Sequence, residues 1–306
     1  MEPRVNDGLE PQDVAKAPIS ARMRREFRKT VLAYYEAHGR DLPWRHTRDP
    51  YRVLVSEVML QQTQVVRVAE RYEAFLDDFP DVEALARAPL EKVLRAWRGL
   101  GYNRRALALK RLAEQVTAEM GAQLPRDPAL LRRLPGVGPA TAVAVAAFCF
   151  DDPHPYLETN IRTAYLHHFF PDREGVTDAE LMPLVEMTLD RQDPRTWYYA
   201  LMDYGSMLKR TLPNPSRRSR HHTRQSQFEG SKRQLRARVL GVLLDRPDLD
   251  RPDLDPNEVV AALAREEHAG GPQRVAADEA TVEAILRELA DEGFLVAREG
   301  RFRPAD

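Results

Sequence analysis

Two features of this 306-residue chain have residue types and spacing suited to chemistry on a phosphate-bearing ligand. The first is a glycine turn, Leu134-Pro-Gly-Val-Gly-Pro-Ala-Thr-Ala142. Gly136 and Gly138 permit positive φ and close backbone approach, and Pro139 can open a helix directly behind them. A glycine turn feeding a helix N-terminus offers unpaired N–H groups and the positive end of a helix dipole, which suits a phosphate. Gly136, Val137, Gly138 and Thr141 are therefore candidate contacts to a nucleic-acid backbone; the alternative is an ordinary corner between two helices. The second feature is Glu57, whose helical neighbours Val53, Leu54, Val58, Leu60 and Gln61 are mostly apolar. Such a surround disfavours the charged carboxylate and raises its pKa. The alternative is a solvated surface glutamate.

Helices must position both. Asp127-Pro-Ala-Leu-Leu-Arg-Arg-Leu134 carries a capping aspartate, a first-turn proline and apolar residues at helical spacing, so one helix leads into the turn. A second leaves it with Val143, Ala146, Ala147 and Phe150 on one face. Periodicity predicts further helices over Ala21–His38, with Met23, Phe27, Val31, Leu32 and Tyr35 inward, and from Asp49 through Val55, Val58, Met59 and Gln62. Others are expected at about Val65–Phe79, Asp81–Ala88, Leu90–Trp97 and Arg104–Met120, and more run to about Leu208. Gly39–Arg45, broken by Pro43, reads as irregular. No convincing strand precedes residue 290, so the fold class is mainly α.

The ends differ in character. Residues 1–20 are polar and are expected to be a disordered leader. Residues 210–230 are rich in proline, serine and basic side chains and read as a basic linker. Between Lys209 and Arg238 the only acid is Glu229. The formal net charge of -1 gives no overall basic character, but a local basic stripe is what phosphates respond to. Residues 231–306 contain three amphipathic stretches and a Phe294–Arg303 hairpin around Gly300, a small winged-helix-like α+β module. Arg246–Asp255 is a tandem duplication expected in an exposed loop. The helix that would enter a DNA groove carries Glu279, Glu283, Glu288, Asp291 and Glu292 against Arg287 alone, a charge that DNA repels. The module is expected to pack or to contact another protein.

Cys149 is the single cysteine, in an apolar stretch, and reads as core filler. It excludes a disulfide framework and any all-cysteine metal site, and the adjacent His221 and His222 are poorly spaced for one metal, so no metal is expected. The longest apolar run, Ala142–Phe150, is too short to span a bilayer. A cytoplasmic, nucleoid-associated monomer without membrane contact is the expectation.

Four motifs in order, Leu42-Pro-Trp-Arg45, Ser56-Glu-Val-Met-Leu-Gln-Gln-Thr-Gln64, Trp97-Arg-Gly-Leu-Gly-Tyr102 and Leu134-Pro-Gly-Val-Gly138, resemble the helix-hairpin-helix DNA glycosylases, and most resemble the A/G-specific adenine glycosylases. The resemblance covers about residues 22–208. It implies two helical lobes, 21–51 with 156–209 and 52–155, with DNA across the cleft, and hydrolysis of the N-glycosidic bond of a flipped base in duplex DNA carrying a mismatch or lesion. It also implies roles. Glu57 resembles the general acid. In Tyr156-Leu-Glu-Thr-Asn-Ile-Arg162, Glu158 stands where the family has an aspartate that stabilises the sugar cation, and Asn160 keeps its place. Gln62 and Tyr102 match residues that wedge into the base stack. Trp44 and Arg45 resemble a wall of the base pocket.

Three departures carry expectations. Ala140 stands where lyase members have lysine, so no Schiff-base amine is available there and a monofunctional glycosylase using water is expected. The four cysteines of the family's iron–sulfur cluster are missing after Met202–Met207, so no cofactor is expected. Tyr199 replaces the adenine-contacting Gln or Glu. The expected substrate is adenine opposite guanine or 8-oxoguanine; the alternatives are another base (uracil, hypoxanthine or mismatched thymine) or a non-catalytic binder of distorted DNA.

Overall fold

The computed structural model describes residues 19–222, 227–245, 253–268 and 278–305. The leader expected over residues 1–20 therefore lies almost wholly outside the described residues, as do part of the expected linker and most of the tandem duplication. In chain order the helices are α1 (Ala21–His38), α2 (Pro50–Leu60), α3 (Val65–Asp78), α4 (Val82–Arg87), α5 (Leu90–Ala96), α6 (Arg104–Glu119) and α7 (Pro128–Leu131). They continue with α8 (Pro139–Phe150), α9 (Thr159–Phe169), α10 (Asp178–Thr188), α11 (Pro194–Thr211), α12 (Lys232–Leu244), α13 (Pro256–His268) and α14 (Glu279–Asp291), before β1 (Leu295–Arg298) and β2 (Arg301–Pro304). The fold is mainly helical, as the periodicity predicts.

The helix starts are written locally. Ser20, Asp49, Asp81 and Asp127 each cap a helix, accepting from the first-turn amides of Met23, of Tyr51 and Arg52, of Ala84 and of Ala129. The chain divides into two compact units, 1–48 with 138–223 and 49–137 with 224–306, with one boundary between Val137 and Gly138. Two differences from the sequence reading follow. Helix α8 belongs with the first unit, because its Phe148 stacks on Tyr199 of α11 with ring centroids 4.3 Å apart. The C-terminal elements belong with the second, because Asp245 and Glu292 pair with Arg98, just after α5, and with Arg104 of α6.

In the first unit the core gathers around Phe27, whose ring meets Tyr165, His168, Phe169 and Trp197 at centroid distances of 5.0–5.9 Å. Met23, expected inward, is instead exposed, since the buried stripe of α1 begins at Phe27. Helix α8 was expected to bury one face; its residues from Ala144 to Cys149 are all buried, as for a helix enclosed by its neighbours. Residues 212–222, expected as linker, are packed: Val176 and Arg218–Arg220 exchange backbone bonds of 3.0 and 2.9 Å, and Ser216 and Ser219 are buried. The closest approach is between α9 and α11. A Cβ placed on Gly205 would lie 2.0 Å from the Asn160 carbonyl oxygen, so only glycine fits.

In the second unit α2 to α7 pack together with α12 to α14. The β1–β2 hairpin is antiparallel, Leu295 opposite Pro304, and turns through Glu299 and Gly300 at φ 51° and 75°. Two consecutive positive φ values make the turn type that matches strand twist.

Gly205→Ala should destabilise the protein by about 3 kcal/mol or more, read by urea unfolding, because the added methyl meets backbone and not a movable side chain. A loss below about 0.5 kcal/mol would contradict this contact. Stability should also depend on His168, whose Nε2 pairs with the Tyr204 hydroxyl at 2.8 Å. Burial, assisted by His167, lowers its pKa from 6.5 to about 4. Between those values the unfolded chain binds a proton that the folded chain does not. Stability is therefore full above pH 6.5 and declines as pH falls towards 4. His168→Gln should flatten the fall of Tm across that window; an unchanged pH dependence would refute it.

Candidate active site

Each unit carries its own set of the residues singled out in the sequence. In the first, the pre-α2 turn Pro43–Arg45 presents Trp44 and Arg45, both turned into the protein. Arg45 donates to both oxygens of Asp203 at 2.8 and 2.7 Å, and its guanidinium stacks 4.4 Å from the centre of the Tyr199 ring. Asp203 also accepts from the Arg40 backbone N–H at 2.8 Å and from Arg40 Nε at 2.7 Å. Burial alone would raise the Asp203 pKa, but the two arginines together hold it below the ordinary carboxylate value. Trp44, Arg45 and Tyr199 are thus brought together, with the guanidinium of Arg45 committed to Asp203.

Glu158 is the N-cap of α9. One carboxylate oxygen accepts from the Asn160 and Ile161 amides at 2.7 and 2.8 Å, and the other accepts from the Asn160 side-chain amide at 3.2 Å. The structure therefore joins Glu158 and Asn160 in one constellation. The sequence reading missed Lys209, half-buried on α11 one turn beyond Gly205. Burial lowers its pKa, and the negative charge of Glu158 pulls the other way, placing the two in electrostatic reach. No local signal marks it: the approach of α9 and α11 at Gly205, which brings it near Glu158, is a long-range contact. Gly138 begins this unit at φ -81°, a backbone any residue adopts, with nothing within 4 Å of where a Cβ would sit. The expectation of positive φ thus fails at Gly138; what glycine leaves there is open space ahead of the first turn of α8, which also holds Thr141.

In the second unit Glu57 is half-buried on α2, between the buried Ser56 and Val58, and buried Val53 and Leu54 lie one turn back. Gln62 follows the end of α2 and is exposed, and Tyr102 lies in the turn between α5 and α6, 38% exposed. Both adopt left-handed backbone, φ 54° and 49°, which is costly for residues with a side chain and concentrates at functional turns. Gly136 is also left-handed at φ 76°, and a Cβ there would meet the Ala108 methyl at 2.8 Å. Val137, next to it, is buried.

One residue that the sequence reading passed over ties the two left-handed turns. Arg105 Nη1 donates to the carbonyls of Val58, Met59 and Gln61 at 2.9, 2.7 and 2.5 Å. Its Nη2 donates to Thr63 Oγ1 at 2.9 Å and to the carbonyls of Leu100 and Gly101 at 3.0 and 2.9 Å. The guanidinium so joins the end of α2, which leads to Gln62, to the turn holding Tyr102. Burial lowers its pKa to about 10, still charged at neutral pH.

Known DNA base-excision proteins share this helical scaffold and its glycine hairpin. Residues 55–187 match the family model described as HhH-GPD superfamily base excision DNA repair protein. The chain is 32% identical over 301 residues to an adenine DNA glycosylase of Mycolicibacterium smegmatis, covering 90% of this chain and 98% of that one. It is 40% identical over 192 residues to the human adenine DNA glycosylase, 59% of this chain and 35% of the relative, and 32% identical over 235 residues to the mouse protein, 73% and 45%. The chain thus spans less than half the length of these two mammalian relatives. A solved thermostable thymine-DNA glycosylase superposes with TM-score 0.55 at 28% identity over 61% of this chain and 87% of that one. A trapped endonuclease III–DNA intermediate shares the fold at TM-score 0.50 and 21% identity, over 63% and 87%. This chain belongs to the helix-hairpin-helix DNA glycosylases.

That membership corrects the cofactor expectation. Adenine DNA glycosylases and endonuclease III typically carry a [4Fe–4S] cluster, so freedom from any cofactor does not follow for a chain of this kind. The residues present do not fit a cluster held by four thiolates of this chain: Cys149 is the single cysteine and is buried in α8. Among the described residues no group of three or more His, Cys, Asp and Glu side chains could hold a metal ion. No described helix is long and apolar enough to cross a membrane.

Arg105→Met should lower stability by about 2–4 kcal/mol in urea unfolding, since it removes a charged donor from five carbonyls and a hydroxyl that are partly buried. A variant as stable as the parent would show that the tether contributes nothing.

Proposed function

We propose that the chain is a monofunctional DNA glycosylase that excises adenine opposite guanine or 8-oxoguanine, acting as a cytoplasmic monomer on mismatched or damaged duplex DNA. The observation that carries this reading is near full-length similarity to an adenine DNA glycosylase, 98% of that relative, together with Glu57, Gln62, Tyr102 and Asn160 at the matching motif positions. The glycine hairpin, through Gly136, Val137, Gly138 and Thr141, holds the backbone. Gln62 and Tyr102 enter the stack and fill the gap left by the turned-out nucleotide, whose base meets Trp44, Arg45 and Tyr199. Glu57 donates a proton to the base as the C1′–N bond breaks and its electron pair leaves with the base. The Glu158 carboxylate stabilises the oxocarbenium sugar, Asn160 holds that carboxylate, and water adds to C1′ and gives up its proton. Ala140 offers no amine, so the strand is left uncut.

Tyr199 favours a second reading, in which mismatched thymine is the substrate. Its ring is packed between Phe148 and Arg45, and a phenol cannot make the paired amide-like contacts of Gln or Glu to adenine. The solved thymine-DNA glycosylase similar to this chain gives that reading its second support.

A panel of duplexes, each with one mismatch or lesion, separates these readings. Release of adenine, with strand breaks only after alkali, is expected; release of thymine alone selects the second reading. Breaks without alkali would overturn the monofunctional assignment, and tight binding without release from any duplex would make the chain a binder. Glu57→Gln should lower single-turnover excision by at least about a hundredfold with DNA affinity kept. Unchanged excision would remove Glu57 from the mechanism.

A further inference from the structure

The C-terminal module has no role in the mechanism above, yet it grips one turn of the second unit from both sides. That turn, residues 99–103, carries Tyr102. Before it, Arg98 bonds Asp245 at 2.5 Å and the Gly241 carbonyl at 3.4 Å, both beside the end of α12. After it, Arg104 makes a two-pronged bond to Glu292, at 2.8 and 2.5 Å, at the end of α14. Glu292 is itself held by Arg236 at 2.5 Å, and its carbonyl accepts from Arg111 at 3.1 Å. Between these anchors Arg233 of α12 donates to the Tyr102 hydroxyl at 2.6 Å. Its guanidinium also lies 5.6 Å from the Tyr102 ring centre and 6.0 Å from that of Phe228, an exposed aromatic.

From this arrangement we infer that the module braces the wedge: Arg233 is a positioning residue that fixes the Tyr102 ring for entry into the base stack. Two physical facts carry the inference. The Tyr102 hydroxyl is the far end of the side chain, so a bond there sets the ring torsion and not the backbone. Tyr102 is also 38% exposed, so a bond to its hydroxyl adds little to folding stability. A bond that contributes little to stability, directed at a strained side chain, is suited to ordering that side chain before it meets DNA. The acidic face of α14 agrees: Glu288 and Glu292 are turned to Lys232, Arg236 and Arg104, which makes them docking groups and not groove readers.

The inference rests on Tyr102 being the wedge, and the test separates the two. A mismatched duplex with 2-aminopurine beside the mismatch reports unstacking on binding, and excision is followed in single turnover. In full-length protein, Arg233→Met and Tyr102→Phe should each slow excision about tenfold and reduce the fluorescence rise, with Tm unchanged. Their double variant should be no slower than either, because both delete one bond. Single variants that match the parent, effects that add, or a faster Arg233→Met variant would overturn the brace. Tyr102→Ala should abolish the fluorescence rise; if it does not, the wedge assignment itself is wrong, whatever Arg233 does.

Discussion

A carboxylate buried in a protein must be answered by cations, and Asp203 is answered twice. Burial pushes its pKa up; Arg45 and Arg40 pull it down further than burial raises it, so the group stays charged. Removing Asp203 would leave the buried Arg45 guanidinium uncompensated, at a cost of about 3–5 kcal/mol. This fastens an otherwise irregular segment, Gly39 to Arg45, to α11. It dictates where Trp44 lies, commits the Arg45 guanidinium, and seats it on Tyr199 one turn before Asp203. The same helix then carries Gly205, where α9 comes so close that no side chain fits, and Lys209 beyond it. Tyr199, Asp203, Gly205 and Lys209 make α11 the rail from which the first unit's candidate residues are hung.

The second unit solves the opposite problem, a half-buried cation. Arg105 is answered by five carbonyls and a hydroxyl, and it stays charged at neutral pH although burial draws its pKa down to about 10. Carbonyls are spread along the backbone, so they let one guanidinium register two turns at once, as a single carboxylate could not. The left-handed backbones of Gln62 and Tyr102 sit at the ends of that tether. Strain persists only where its surroundings over-determine it, and here the determining contacts are visible.

The parts of this architecture that could be read in the sequence are those whose causes lie within a few residues. Caps at Ser20, Asp49, Asp81 and Asp127 mark helix starts, and α1 falls on Ala21–His38 as its periodicity predicts. Glu57, Gln62 and Tyr102 stand out in the sequence through the resemblance that their motifs carry. What escaped was long-range. Arg105 pairs with residues on the far side of three helices, and Asp203 with arginines some 160 positions away. Helix α8 looked one-sided because sequence shows composition and not neighbours. Residues 212–222 looked like linker because their order comes from bonds to Val176 and not from any period of their own. At Gly138 the residue type was read correctly and its cause was not: the backbone is unstrained, and what glycine provides is space.

Glu158 shows how a cap and a proposed catalytic group can be the same carboxylate. Capping requires an acceptor oxygen turned back to the first amides of α9, and stabilising a sugar cation requires a negative oxygen turned outward. The two oxygens divide the tasks: one takes both backbone amides, while the other accepts from the Asn160 side chain, at 3.2 Å. The extra methylene relative to aspartate does not break the cap. It moves the outward oxygen further from the helix axis, so the groups that steer that oxygen matter more than they would for a shorter side chain. Asn160 and the charge of Lys209 are those groups, and Gly205 brings α11 close enough to supply the second. The substitution of glutamate for aspartate and the tight α9–α11 contact are therefore one design problem, and a change at either is felt at the other.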